Sequence, residues 1–225
     1  MPIPPIAPYA MPTLDEVAPN QVSWELDPGR AALLIHDMQR YFLAAYQADR
    51  EPARTLIANI ALLRNRCHDL GIPVIYTMQP GSQHPSRRGI LADFWGAGMA
   101  VGPDTEVVAE LRPDPRDIQV TKWRYSAFQR TDLRDLLSFY NRDHLIVTGV
   151  YAHMGCMLSA AEAFMSDIHP FLALDATADF TREEHLMALN YTARRSGAIL
   201  PTTALLDQLG DVSAATGSGV VDAAR

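Results

Sequence analysis

One stretch limits the fold more than any other. Leu145-Ile146-Val147-Thr148-Gly149-Val150 is an apolar, β-branched run that breaks at a turn and leads directly into an amphipathic segment from Met157. A strand that turns sharply into a helix is the unit of an open α/β sheet. The turn, Tyr151-Ala152-His153-Met154-Gly155-Cys156, falls where unpaired helix N–H groups and the positive end of the helix dipole can receive an anion.

The alternation recurs along the chain. Residues 31–36 form a near-continuous apolar run, the pattern of a parallel strand buried on both faces. Between residues 51 and 70, Leu56, Ile60, Leu63, Cys67 and Leu70 recur at helical spacing, and Gly71 with Pro73 supplies a stop. Further strands are expected at 72–77, 118–121, 171–176 and 198–200, and further helices at 105–111, 131–140 and 182–195. The segment after the turn should end near Ile168, with Met157, Ala160, Ala161 and Phe164 as its buried stripe. The pattern predicts an α/β fold of three layers, α-β-α, around a mainly parallel, Rossmann-like sheet of about six strands, with ligands at the strands' carboxyl ends. Residues 1–29, Pro-rich and without periodicity, read as an extended arm ending at the turn Asp27-Pro28-Gly29. Residues 30–208 form the domain. Residues 209–225, rich in Ala, Ser, Gly and Val, are expected to be a mobile tail. The stretch through Arg87-Arg88-Gly89 and Phe94-Trp95-Gly96 reads as an irregular functional loop.

Two strand ends carry ionisable residues that a sheet interior would not hold unpaired: Ile35-His36-Asp37-Met38-Gln39 and Val120-Thr121-Lys122-Trp123-Arg124. An Asp, a Lys and the bare turn would share one pocket. The combination His36-Asp37-Met38-Gln39, Lys122-Trp123-Arg124-Tyr125-Ser126-Ala127-Phe128 and Gly149-Val150-Tyr151-Ala152-His153-x-Gly155 closely resembles the isochorismatases, within the isochorismatase-like (cysteine hydrolase) superfamily. The resemblance extends from about Ile3 to about Leu206.

The resemblance implies hydrolysis of a vinyl ether with Asp37 as general acid. It casts Lys122 as the residue that holds Asp37 and binds a substrate carboxylate or hydroxyl, and Gly155 as a space where a thiol would otherwise stand. It further implies Gln79, Arg88 and the Tyr151 backbone or hydroxyl as donors to a dicarboxylate substrate, with Phe42 and Trp95 as walls. Arg88 is preferred to Arg87. His36 and His153 flank the motifs and suit orienting backbone groups better than moving protons. No cofactor and no metal are implied, because Met78-Gln79-Pro80 stands where nicotinamidases place a metal-binding Asp-x-His. Some relatives carry a C-terminal carrier domain, for which this chain has no room, so a carrier protein would be separate. A homodimer is the family's habit.

Composition narrows the partners. With 225 residues, 48% hydrophobic and 20% charged, the chain suits one domain with a sizeable core. A formal net charge of −7 with scattered basic residues argues against a nucleic-acid partner, yet a locally positive pocket can still take an anion. No apolar run approaches the roughly 20 residues that span a bilayer, and the opening lacks signal-peptide character, so a cytoplasmic location is expected. Cys67 and Cys156 are too few for a disulfide framework.

The substrate is either isochorismate or 2-amino-2-deoxyisochorismate, and the residues do not choose between them. Two other readings stay open. One is a thiol-dependent amidase using Cys156. In the cysteine hydrolase branch the Cys stands six residues after the turn glycine, however. Here that place is Gly155, and the one-residue offset rotates Cys156 away by about 100°. The other is a non-catalytic subunit that docks a carrier protein, which would have no need of a buried Asp and Lys.

Overall fold

Alternate residues of one buried strand supply the two halves of the core. Ala31, Leu33 and Ile35 pack to one side and Ala32 and Leu34 to the other, all fully buried. That double burial is why the run is apolar throughout rather than alternating. The computed structural model describes residues 3–210. The strands β1 (Ala31–His36), β2 (Val74–Met78), β3 (Ile118–Thr121), β4 (His144–Val150), β5 (His169–Ala178) and β6 (Ala198–Leu200) form one parallel six-stranded sheet in the order β3-β2-β1-β4-β5-β6. The helices are α1 (Arg40–Leu43), α2 (Ala53–Asp69), α3 (Pro85–Arg88), α4 (Leu91–Trp95), α5 (Leu133–Phe139), α6 (Met157–Phe164), α7 (Arg182–Arg195) and α8 (Thr202–Leu209).

Helices α2 and α8 cover one face through Leu56, Ile60, Leu63, Leu205 and Leu209. Helices α5, α6 and α7 cover the other through Leu133, Leu137, Ala163, Leu189 and Ala193. Strand order reverses between β1 and β4, so a crevice opens where their carboxyl ends part. The two ends are in register, His36 beside Gly149. Gly149 has φ 108°, and a β-carbon there would lie 2.1 Å from the His36 carbonyl oxygen, so only glycine fits.

Residues 3–30 run extended across the domain. Ile6 N donates to Ala45 O (2.8 Å), Gln21 N to Ala193 O (2.9 Å) and Leu26 N to Gln208 Oε1 (2.8 Å). The expected tail lies, beyond residue 210, outside the described residues.

Local differences have local causes. The helix expected at 105–111 is replaced by 3-10 turns at Pro103–Thr105 and Ala109–Leu111. Between them Val107 bridges Gln39 and Val108 N donates to Met38 O (3.0 Å), which pulls the chain straight. The stripe of α6 is shifted. Cys156, Ser159, Ala160 and Ala163 are buried, whereas Phe164 is 48% exposed. The turn at Ala152–Cys156 is a π-helical turn, wider than an α turn, and it changes the phase of the helix that it opens. The stretch read as irregular contains α3 and α4, and α8 was not anticipated.

Because Leu34 is fully buried in the central strand, Leu34→Ala is expected to destabilise the protein by about 2–5 kcal/mol in urea unfolding. A loss below about 1 kcal/mol would mean that the second core half is not close-packed.

Candidate active site

Asp37, the residue after β1, turns to φ 50° while its N–H still donates to Thr77 O on β2 (3.2 Å). Its carboxylate is enclosed. Oδ1 accepts from Thr77 Oγ1 (2.8 Å), and Oδ2 accepts from Lys122 Nζ (2.9 Å) and Gln79 Nε2 (3.1 Å). Asp37 and Lys122 are each 2% exposed. Burial pushes the Asp37 carboxyl up, but the Lys122 ammonium and the hydrogen bonds outweigh it and hold the group below the usual carboxylate range. Asp37 is therefore ionised in the free protein at neutral pH.

Lys122 follows β3, and its three ammonium hydrogens face three acceptors: Asp37 Oδ2, Arg124 O (2.9 Å) and Tyr125 O (3.3 Å). No donor is left for a substrate carboxylate, so of the two roles expected for Lys122 the geometry provides for holding Asp37. Gln79 is itself clamped. Gln39 Oε1 accepts from Gln79 N (2.8 Å), and Gln39 Nε2 donates to Gln79 O (2.8 Å) and Thr105 O (2.9 Å).

These groups open onto a cleft of about 620 Å³, part of it solvent. Arg88, 5% exposed, lines it from the end of α3 and donates to Gly96 O (2.9 Å) without a carboxylate partner among the described residues. Burial lowers its pKa. Arg124 also lines the cleft and is spread along Trp123 O (2.6 Å) and Arg87 O (3.0 Å). Arg87 itself stacks on the Trp123 ring instead (5.4 Å). Two guanidinium groups without carboxylate partners thus meet in one cleft, an arrangement suited to a dianion.

The walls are aromatic. Phe42, Tyr151, Phe180 and Trp95 line the cleft, with the Tyr151 and Phe180 rings 4.1 Å apart and those of Phe180 and Trp95 6.0 Å apart. Trp95 Nε1 donates to Tyr125 Oη (2.7 Å). Tyr151 donates its hydroxyl proton to Phe42 O (2.8 Å), which leaves its backbone as the group able to serve a ligand. From the N-terminal arm, Ile3 closes one side of the cleft.

Gly155 does not open a space. The His36 ring fills it, so that a β-carbon on Gly155 would lie 2.0 Å from His36 Cε1. Cys156 is fully buried in the opposite core half, with Sγ 3.8 Å from Thr148 O. Burial, then the negative charges of Asp179 and Asp37, raise its thiol pKa well above the ordinary value.

His153 turns to Asp179, with Nδ1 2.7 Å from Oδ1 and its backbone N–H donating to Oδ2 (2.6 Å). Burial opposes its protonation, but the Asp179 hydrogen bond and charge prevail and raise its pKa. With Glu184 these residues form the one group among the described residues whose donor atoms, all within 4.8 Å, could surround a metal. Asp179 already accepts from Phe180 N (2.9 Å) as well, and Glu184 from Thr181 Oγ1 (2.9 Å), so their oxygens serve a helix start.

Sequence reasoning brought Asp37, Lys122, Gln79, Arg88, Tyr151, Phe42 and Trp95 to this cleft, and the structure places all of them around it. It missed Gln39 and Arg124, although both stand inside the recognised motifs. Ile3 and Phe180 carried no signal.

The fold and site define a three-layer α/β protein in which a buried carboxylate faces a cleft lined by two arginines and by no thiol. A family model described as the isochorismatase domain matches residues 31–204. The chain is 53% identical over 210 residues to the isochorismatase of Bacillus subtilis, covering 93% of this chain and 67% of that protein. It is 48% identical to enterobactin synthase component B of Escherichia coli, covering 92% and 73% of the two chains. It is also 48% identical to the phenazine biosynthesis protein PhzD of Pseudomonas fluorescens, covering 89% and 96%. Among solved structures, an isochorismatase family protein of Desulfovibrio vulgaris superposes with TM-score 0.71 at 28% identity, over 81% of this chain and 99% of that one. This chain belongs to the isochorismatase family.

Because both thiols are buried and Cys156 resists ionisation, iodoacetamide at neutral pH is expected to leave the native protein unmodified, with two alkylations appearing only after denaturation. Rapid native alkylation of Cys156, read by peptide mass spectrometry, would contradict the geometry.

Proposed function

We propose that this protein hydrolyses the vinyl ether of isochorismate or of 2-amino-2-deoxyisochorismate, releasing pyruvate and a dihydro-hydroxybenzoate or dihydro-hydroxyanthranilate. The observation that carries this reading is the buried Asp37–Lys122 pair at 2.9 Å, facing a cleft lined by Arg88 and Arg124. The names of the relatives, an isochorismatase and a phenazine biosynthesis protein, support the substrate class.

The substrate carboxylates would meet Arg88 and Arg124, with Gln79 and the Tyr151 backbone as further donors. Entry of these two carboxylates adds negative charge and expels water beside Asp37, and both effects raise its pKa against the pull of Lys122. Asp37 then takes up a proton and passes it to the enol methylene carbon. The ether carbon becomes an oxocarbenium ion, water adds to it and loses a proton, and the hemiketal collapses to pyruvate and the diol or amino alcohol. Phe42, Trp95, Tyr151 and Phe180 keep bulk water from the cation-like intermediate. Lys122 holds the carboxyl in place.

An amidase working through Cys156 is disfavoured by the burial of its thiol. A docking subunit is disfavoured because the Asp37–Lys122 pair is buried beside a cleft rather than placed on a surface. We place the protein in the cytoplasm, and among the described residues no helix is long and apolar enough to cross a membrane. We further propose a homodimer, supported by the exposed apolar side chains of Phe139, Phe164 and Met165, and a separate carrier protein as a pathway partner.

Pyruvate release should be assayed from both substrates side by side without added metal. The wild type should turn over at least one of them, and Asp37→Asn should lose about 10²–10⁴-fold in kcat. The ratio of kcat/KM names the preferred substituent. No pyruvate from either substrate would overturn the reading.

A further inference from the structure

We propose that His36 is a positioning residue of this site. Its imidazole occupies the space beside Gly155, bars any side chain there, a hydroxyl or thiol nucleophile included, and is wedged between the two loops that frame Asp37 and Lys122, hydrogen-bonded to the one after β4. The kinetic part of this proposal rests on the vinyl-ether reading; the steric part does not.

The geometry is specific. A β-carbon on Gly155 would lie 2.0 Å from His36 Cε1, 2.6 Å from Nε2 and 2.7 Å from Nδ1, distances at which the ring or the turn must move. The ring has nowhere to go. His36 is 1% exposed, its backbone is fixed in β1 beside Gly149, and its ring lies between two backbone carbonyls. Nδ1 is 2.7 Å from Val150 O and Nε2 is 3.2 Å from Tyr125 O. Burial pushes its pKa down to about 4, so the ring is neutral at pH 7 and its single proton belongs on Nδ1, at the shorter contact.

Each contact leads to the site. Val150 is the last residue of β4 and precedes Tyr151, whose ring walls the cleft. The Tyr125 carbonyl also accepts from Lys122 Nζ (3.3 Å), and the Tyr125 hydroxyl receives the Trp95 indole proton. One neutral side chain, bonded to the β4 turn through its Nδ1 proton and only abutting the Tyr125 carbonyl with its bare Nε2, thereby fills the gap between that turn and the loop after β3, beside Asp37. The Nδ1 to Asp37 Oδ1 distance is 3.9 Å, too long for a hydrogen bond, so His36 acts on Asp37 through the framework rather than by direct transfer.

A double-mutant cycle tests the steric part by thermal unfolding, whatever the substrate is. Gly155→Ala is expected to lower Tm by about 5–10 °C in the wild-type background and by less than about 2 °C in a His36→Ala background. Equal losses in both backgrounds would overturn it. Should His36→Ala fail to fold, the cycle is read in His36→Ser, whose side chain stops short of all three ring atoms that crowd Gly155. Kinetics test the positioning part. His36→Ala should lower kcat about 10–100-fold with KM changed less than about 3-fold and the pH profile unmoved, and His36→Asn, whose amide can donate to Val150 O, should recover part of the loss. Loss of a limb of the pH profile would make His36 a proton carrier, and an unchanged kcat would leave it no role; either result overturns positioning. If the wild type releases no pyruvate, the proposed reaction fails while the Tm cycle still reads out.

Discussion

The rest of the site depends on an ion pair buried where three strands end. Asp37 after β1 and Lys122 after β3 lie 2.9 Å apart with almost no exposure to water. Such a pair is tolerated only when its remaining hydrogen-bonding capacity is met, and removing one partner of a buried pair typically costs about 3–5 kcal/mol. Here Thr77 and Gln79 from β2 and its loop complete the carboxylate, and the carbonyls of Arg124 and Tyr125 complete the ammonium. Satisfying the charges therefore fixes the chain after β1, β2 and β3, and Gln39 locks the middle one from behind.

The same enclosure shapes the chemistry. An ionised Asp37 is a poor acid, and the free protein holds it ionised. In the proposed reaction a cause for change comes only with the anionic substrate, whose charge, met by Arg88 and Arg124 in the cleft, would weigh on Asp37. In this account the substrate prepares its own acid, and the ligand-free enzyme holds no proton on Asp37. The neighbouring groups that could compete are set aside by position. Cys156 faces the packed side of β4, His36 is pinned between two carbonyls, and His153 is held by Asp179.

Much of this was legible in the residues. Helix α7 and strand β6 fall at 182–195 and 198–200, as periodicity predicts, and Thr181 caps α7 by accepting from Glu184 N (3.1 Å). Double burial made β1 readable as an apolar run. The charged strand ends pointed to a pocket because charge inside a sheet needs a reason. What escaped depends on contacts distant in sequence. The 3-10 turns at Pro103–Thr105 and Ala109–Leu111 arise from pairing with Met38 and Gln39, which no local window contains. The π-helical turn shifted the buried face of α6, and an α-helical period cannot foresee it. Ile3 reaches the cleft only because the arm folds back across the domain, and the space beside Gly155, open by its sequence, is filled by the His36 ring.

In the proposed reaction Asp37 is a carboxylate in the free protein and a carboxylic acid once the dicarboxylate substrate is bound. Calorimetric binding of a saturated, non-cleavable analogue of the substrate, repeated at about pH 6 in buffers of different ionisation enthalpy, measures it directly. Uptake of about one proton per site is expected for the wild type and none attributable to this site for Asp37→Asn. Binding of the analogue to the wild type without proton uptake would contradict it.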